Sequence, residues 1–372
     1  MKKRIVWCLI LALLLAGCGG NKAPASEAVS AETEPAASVQ TEVRETEEAA
    51  EAVETTEETT APTEPEIFRN PLNGEILDAP FTGRVYASTI SNLQENLPHV
   101  GVNQADVVME MYVNMNNVVR CLALFTDIDG VTAVGSTRST RPIFNDIAQH
   151  YDLVLSHAGG SDTALADASN RGIDHFNVDS WVVASTGASY RDTQYRRSYE
   201  NSLFMVGPAF REYAQSQGVA MELEKDYGFR FSDEGTPAEG EDADVISMTM
   251  VYGQAKKDTA FVYDAQTDRY IWNQYGKEMQ DQITGETEAF ANVIVMFADI
   301  TNNGIYHAAD FVAGGTGYYA NGGKLIPIVW ACDDEDSAFR FMTNDAEPLE
   351  MGVGNTYIAI LTQESPVTWE AD

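Results

Sequence analysis

Residues 19–66 hold thirteen glutamates against two basic residues, Lys22 and Arg44, and most of the rest is Thr, Ala, Ser and Pro. Such a stretch buries too little apolar surface to offset chain entropy, and its like charges extend it further. It is expected to be disordered. At roughly 3.3–3.6 Å per residue its full reach is on the order of 150 Å. Folding is thereby confined to residues 67–372, a body long enough for two domains.

The residues ahead of the acidic stretch read as an export signal. Lys2, Lys3 and Arg4 precede a short apolar run, residues 5–14, and then Leu15-Ala16-Gly17-Cys18. The run is too short for an ordinary membrane span. "LAGC" in this setting is a bacterial lipobox. Cleavage after residue 17 would make Cys18 the mature N-terminus and the site of lipidation, and two acyl chains hold a protein stably on a bilayer. The chain thus divides into a signal (1–17), a tether (18–66) and a folded body held at the outer face of the cytoplasmic membrane.

The whole chain carries a formal charge of −34, and the body alone has 18 basic residues against 44 acidic ones. A field of that sign repels nucleic acid and anionic headgroups, so no nucleic-acid partner is expected. Cys121 and Cys332, the cysteines of the body, sit in apolar runs far apart and read as buried free thiols. No C-x-x-C or zinc spacing occurs, so no metal is expected. "AGGTGYYANGGK" lacks the following helix that a phosphate loop needs. It reads as tight hairpins, and no cofactor is implied.

The polar break "DEGTPAEGEDAD" (233–244) marks a boundary, giving domains at 67–240 and 241–372. The expected class is α+β: a mixed-sheet α/β domain followed by a mainly antiparallel β domain, whose short strands alternate with turn signals. In the first domain, the apolar run 118–126, an Asp-Gly turn and 131–134 suggest a hairpin. "RPIFNDIAQHYD" has helical spacing, with Pro142 suited to the first turn and Ser139 or Thr140 to the cap. Residues 153–158 read as a buried strand, followed by a helix capped by Ser161 or Asp162 and stopped at Gly172. Glu110 and Arg120 lie in successive apolar runs and are expected to pair.

"GSTRSTRP" (135–142) concentrates cation in this acidic chain. If strands 131–134 and 153–158 flank the helix in a right-handed β-α-β unit, both carboxyl ends share an edge. Arg138, Ser139 and Arg141 would then face His157, Gly159, Gly160 and Ser161, where ligands of open α/β sheets bind. Helix N-termini there would add positive dipole ends. "SYRDTQYRRSYEN" contributes Arg191, Arg196 and Asn201. Arginine suits bidentate clasping of carboxylate or phosphate. The competing reading is an internal network in which Asp146, Asp152, Asp162, Asp192 or Glu200 neutralises the arginines. His157 and Ser139 are the candidate catalytic groups, but no G-x-S-x-G elbow or two-carboxylate arrangement accompanies them.

"VGSTRSTRPIFNDIAQHYDLVLSHAGGS" resembles the signature of the YerB-like family, bacterial lipoproteins with two consecutive domains of unknown function. "NPLNGE", "QADVVMEMYV", "VVRCLALF" and "GTGYYANGGKLIPIVW" extend the resemblance over roughly residues 67–365. By position it carries over Arg138, Ser139, Arg141, Pro142, His157, Gly159, Gly160, Ser161, Arg191 and Asn201. Departures are Gly135-Ser136-Thr137 in place of a Gly-Pro-Val lead, and histidines missing from "ISNLQEN" and "SYENSLF". The resemblance implies a lipoprotein of a Gram-positive-type envelope, without a reaction. The leading expectation is non-enzymatic: binding of an anionic small molecule, wall component or envelope protein at an arginine-lined crevice, in support of cell-wall processes. The alternatives are a glycan or peptide hydrolase or transferase using His157 with Arg138 and Arg141, and a structural scaffold.

Overall fold

The computed structural model describes residues 67–371 apart from 195–197, 236 and 238. Cys18, the signal, the tether and Arg196 lie outside the described residues. Three long strands open the fold: β1 (Tyr86–Ser91), β2 (Val107–Tyr112) and β3 (Val119–Phe125). Every residue in them is buried, which is why VVMEMY and VRCLALF read as continuous apolar runs instead of alternating ones. A short β4 (Val134–Gly135) leads through an extended segment to helix α1 (Pro142–Tyr151) and β5 (Val154–His157). Then come α2 (Asp162–Arg171), β6 (His175–Asn177), α3 (Trp181–Ala184), β7 (Ser189–Arg191), β8 (Leu203–Met205) and α4 (Gly207–Ser216).

The rest is β structure: β9 (Val245–Tyr252), β10 (Ala255–Asp264), β11 (Arg269–Gln274) and β12 (Asn292–Phe297). Next is the hairpin of β13 (Asp299–Asn303) and β14 (Tyr306–Asp310). Last are β15 (Gly315–Asn321), β16 (Lys324–Ala331), β17 (Thr356–Leu361) and β18 (Val367–Glu370).

One sheet runs in the order β16-β15-β12-β17-β2-β3-β1-β5-β6, with Glu241–Asp242 and Arg340–Thr343 also on β16. It is mixed: β12, β17 and β2 are parallel, β1, β5 and β6 are parallel, and β3 is antiparallel to both its neighbours. β17 lies between β12 and β2, so the sheet crosses the division at residue 240. The second sheet, β18-β9-β10-β11, is antiparallel, and its strands alternate between buried and exposed residues. The class is therefore α+β. Apolar residues of α1 (Ile143, Phe144, Ile147, Tyr151) cover one face of the main sheet through Met109, Leu122 and Leu155. Phe210 of α4, with Met248, Phe261 and Trp272 of the second sheet, covers the other through Val108, Cys121 and Ala123. Both Cys121 and Cys332 are buried free thiols.

Three local expectations are corrected. The segment 131–134 makes no hairpin with β3, because β1 and β2 already occupy both edges of β3. The β-α-β unit around α1 does not form either. β4 joins β8 and β7 in a separate three-stranded sheet, while the parallel neighbours of β5 are β1 and β6. Finally, neither Ser139 nor Thr140 caps α1. The cap position is Arg141, with extended backbone and no side-chain cap bond, and the Thr140 hydroxyl donates to Asn145 Oδ1 at 3.2 Å. Ser161 does cap α2 by accepting from Ala164 N at 3.2 Å, and Gly172 ends it at φ 73°.

Candidate functional site

Residues 137–141 are threaded beside β1 and the loop after β5. The Arg138 amide donates to Thr89 O at 2.9 Å, its carbonyl accepts from Ala158 N at 2.9 Å, and Thr140 N donates to Gly159 O at 3.0 Å. The Thr89 hydroxyl also donates to the Arg138 carbonyl. This segment thus brings Arg138, Ser139 and Arg141 against Gly159 and Gly160 by strand-like pairing, without the expected β-α-β unit. Gly160 is needed at the contact, since a Cβ there would lie 3.0 Å from Thr140 Cγ2 and 2.8 Å from Leu165.

The three guanidiniums around this segment differ in their partners. Arg138 Nη1 donates to Glu200 O at 2.7 Å and Asn201 Oδ1 at 3.2 Å, and Nη2 lies 3.6 Å from the Glu200 carboxylate, which is 79% exposed. Arg141 donates from Nη1 to Thr140 O at 2.6 Å and lies 4.7 Å over the Tyr306 ring. Arg120, the second residue of β3 and only 5% exposed, donates from Nη1 to Ser139 O. Among the described residues no carboxylate oxygen lies within 4.0 Å of Arg120 or Arg141, and the Nε atoms of both are buried without an acceptor. Burial, then the charges of Arg141 and Arg138, hold Arg120 well below the usual arginine range. Burial likewise lowers Arg141, with Tyr306 opposing and Arg138 reinforcing the shift. Uncompensated like charges in a desolvated place are unfavourable in the absence of an anion.

Tyr306 reaches the site from the second half of the chain. The β13–β14 hairpin docks on the β2–β3 turn through Met115 N to Ile305 O at 3.0 Å and His307 N to Val113 O at 3.1 Å. His307 is buried against Tyr252, its ring centroid 3.8 Å away, and burial pushes it down to about 4.

Two of the acids that were candidates to neutralise the cluster are used elsewhere. Asp146 pairs with Arg171 at 3.0 Å and Asp152 with Arg84 at 3.2 Å. Arg191 is a strut: it pairs with Asp179 at 2.6 Å and stacks 3.8 Å over Tyr199. The chain then passes from Tyr199 to Asn201, the Arg138 partner, so Arg191 supports the rim without offering free charge. Among the described residues Glu200 alone brings a carboxylate to the cluster.

His157 is fully buried. The Gly159 carbonyl can only accept, so His157 Nδ1 carries the proton and donates to it at 2.8 Å. Its Nε2 then accepts from His175 Nδ1 at 2.9 Å. Burial and His175 push His157 down to about 3. With both nitrogens committed, the ring orients the glycine loop and has no lone pair for general-base work. Ser161 Oγ serves the α2 cap, and Ser139 contributes its carbonyl to Arg120.

Glu110 does not pair with Arg120. It lies on the opposite face of the sheet, within 2.8 Å of Lys257, and accepts from Asn92 and Tyr357. His99 continues this buried network between Asn92 and Glu288 at 3.1 and 2.9 Å. Arg120 and Tyr306 are the site residues that sequence reasoning missed. The signal for Arg120 was present, a charge inside an apolar run, but it was assigned to the wrong partner. A surface concavity of about 830 Å³ over the outer face of β9, β10 and β11 shares no residue with the arginine cluster. Among the described residues no group of three His, Cys, Asp or Glu is placed to hold a metal ion, and no helix is long and apolar enough to cross a membrane.

Two family models match the chain in order: Protein of unknown function (DUF3048) N-terminal domain over residues 72–220, and its C-terminal domain over residues 248–358. Among curated proteins the chain is 22% identical over 268 residues to "Putative lipoprotein YerB" of Bacillus subtilis, covering 68% of this chain and 78% of that protein. The crystal structure of the YerB protein from Bacillus subtilis has the same fold. Its TM-score is 0.68 at 19% identity, over 81% of this chain and 99% of that one.

Proposed function

The chain belongs to the DUF3048 family, and from that premise we propose that it is a lipid-anchored extracytoplasmic receptor holding an anionic envelope component on Arg120, Arg138 and Arg141. The anchor would be Cys18; "LAGC" behind a short apolar run supports it, as does the similarity to a relative named as a lipoprotein. The observation that carries the binding reading is Arg120: a buried guanidinium with an orphaned Nε and two like charges beside it. A scaffold arginine resembles Arg171 or Arg191, each matched to a carboxylate. The commitment of both His157 nitrogens to neighbouring groups supports the binding reading over a hydrolase or transferase that would use His157 as base.

A thermal-shift screen of the full chain in detergent against anionic wall fragments, with Arg120→Met and Arg141→Met beside the wild type, tests this reading. A stabilising fragment should lose its effect in both variants. A fragment that stabilises wild type and variants alike would remove the cluster from the account.

A further inference from the structure

We infer that the group held by Arg120, Arg138 and Arg141 is a doubly charged phosphoryl group, a phosphomonoester or free phosphate, in place of a carboxylate or a phosphodiester. The inference rests on the anion-binding reading above and narrows it by charge and by shape.

The charge count comes first. Three guanidiniums meet a single carboxylate, that of Glu200, which is exposed and 3.6 Å from Arg138. Two positive charges remain uncompensated among the described residues. A carboxylate or a phosphodiester brings one negative charge, whereas a phosphomonoester carries about −1.5 to −2 near neutral pH. Only the last approaches balance.

Shape agrees. The guanidiniums start from three separate backbone positions: the second residue of β3, the extended segment, and the residue at the α1 cap position. Donors that start from separate positions suit the oxygens of a tetrahedral group better than the two coplanar oxygens of a carboxylate. The Tyr306 ring covers one face of the Arg141 guanidinium, leaving its donor edge for a ligand. The α1 N-terminus adds its positive dipole end, and no side chain caps it. Among the described residues Arg84, Arg120 and Arg141 each have a buried Nε without an acceptor, but Arg84 is paired with Asp152 and Asp174 whereas Arg120 and Arg141 have no carboxylate, and the two features together point to missing oxygens.

Calorimetric titration of the full chain in detergent compares glycerol phosphate, dimethyl phosphate, acetate and dihexanoyl phosphatidate. Glycerol phosphate should bind about tenfold or more tightly than dimethyl phosphate or acetate, the worth of one further charge-assisted hydrogen bond. Arg120→Lys and Arg141→Lys, which keep the charge but lose the fork, should each weaken it by about tenfold. Tighter binding of dihexanoyl phosphatidate than of glycerol phosphate assigns the group to a lipid headgroup. Equal binding assigns it to a water-soluble phosphate, and either order supports the class. Acetate or dimethyl phosphate binding as tightly as glycerol phosphate, with the same sensitivity to the lysine variants, overturns the phosphoryl assignment and leaves anion binding standing. Absence of heat with every anion overturns both.

Discussion

Arg120 and Lys257 are each 5% exposed, yet only Lys257 has a carboxylate to itself. Replacing Lys257 by Met leaves Glu110 buried with neutral partners, and breaking a buried pair in this way costs about 3–5 kcal/mol. Replacing Arg120 by Met removes an uncompensated buried charge and leaves the Ser139 carbonyl without its donor, a loss of about 1 kcal/mol. In anion-free buffer the Arg120→Met chain should therefore unfold in urea within about 1 kcal/mol of wild type, whereas Lys257→Met falls far below it. Equal losses would mark Arg120 as structural. The expected Glu110–Arg120 pair failed by a single step of register. Glu110 faces Cys121 across the strands and Arg120 faces Met111, so the two side chains leave opposite sides of the sheet. Both charges were legible in the sequence. Their sides were not, because the length of the turn between β2 and β3 fixes the parity and no residue there announces it.

The strands and helices were largely readable from periodicity. Continuous apolar runs became the doubly covered β2 and β3, alternating ones became β9 to β11, and Ser161 and Gly172 bound α2. What failed was adjacency. An edge already occupied cannot accept another strand, and that is a property of the whole sheet instead of any one segment. The convergence of residues 138–141 on Gly159 and Gly160 nevertheless occurs, because the extended segment itself pairs with β1 and with the loop after β5. Tyr306 was beyond reach of sequence reasoning, since nothing local to "GIYHAAD" indicates a hairpin docking on a distant turn. The α2 cap belongs to the same loop as the glycines. Ser161→Ala should cost about 1 kcal/mol, read as a lower urea midpoint with unchanged slope. An unchanged midpoint would mean that the cap carries no weight.

Across the whole molecule, two matched domain models share one sheet. β2 has β17 as its outer neighbour, and β17 comes from the far end of the chain. A fragment ending at residue 240 leaves that edge of β2 bare and removes Met248, Phe261 and Trp272 from the cover of one face of the sheet. It should show no cooperative melt, while the full body gives one calorimetric transition; a fragment that melts cooperatively would show that the halves are independent. The net negative charge was visible in composition alone, whereas this interleaving was not, since it depends on which strand lies beside which. The account turns on a buried guanidinium kept without a counter-ion for an anion from outside. The most direct test is to follow the arginine Nε–H resonances of the full chain by ¹⁵N NMR while glycerol phosphate is added. Saturable shifts and slowed hydrogen exchange at Arg120 and Arg141 together are predicted. Resonances of both that stay fixed while anion is added to saturation would contradict it.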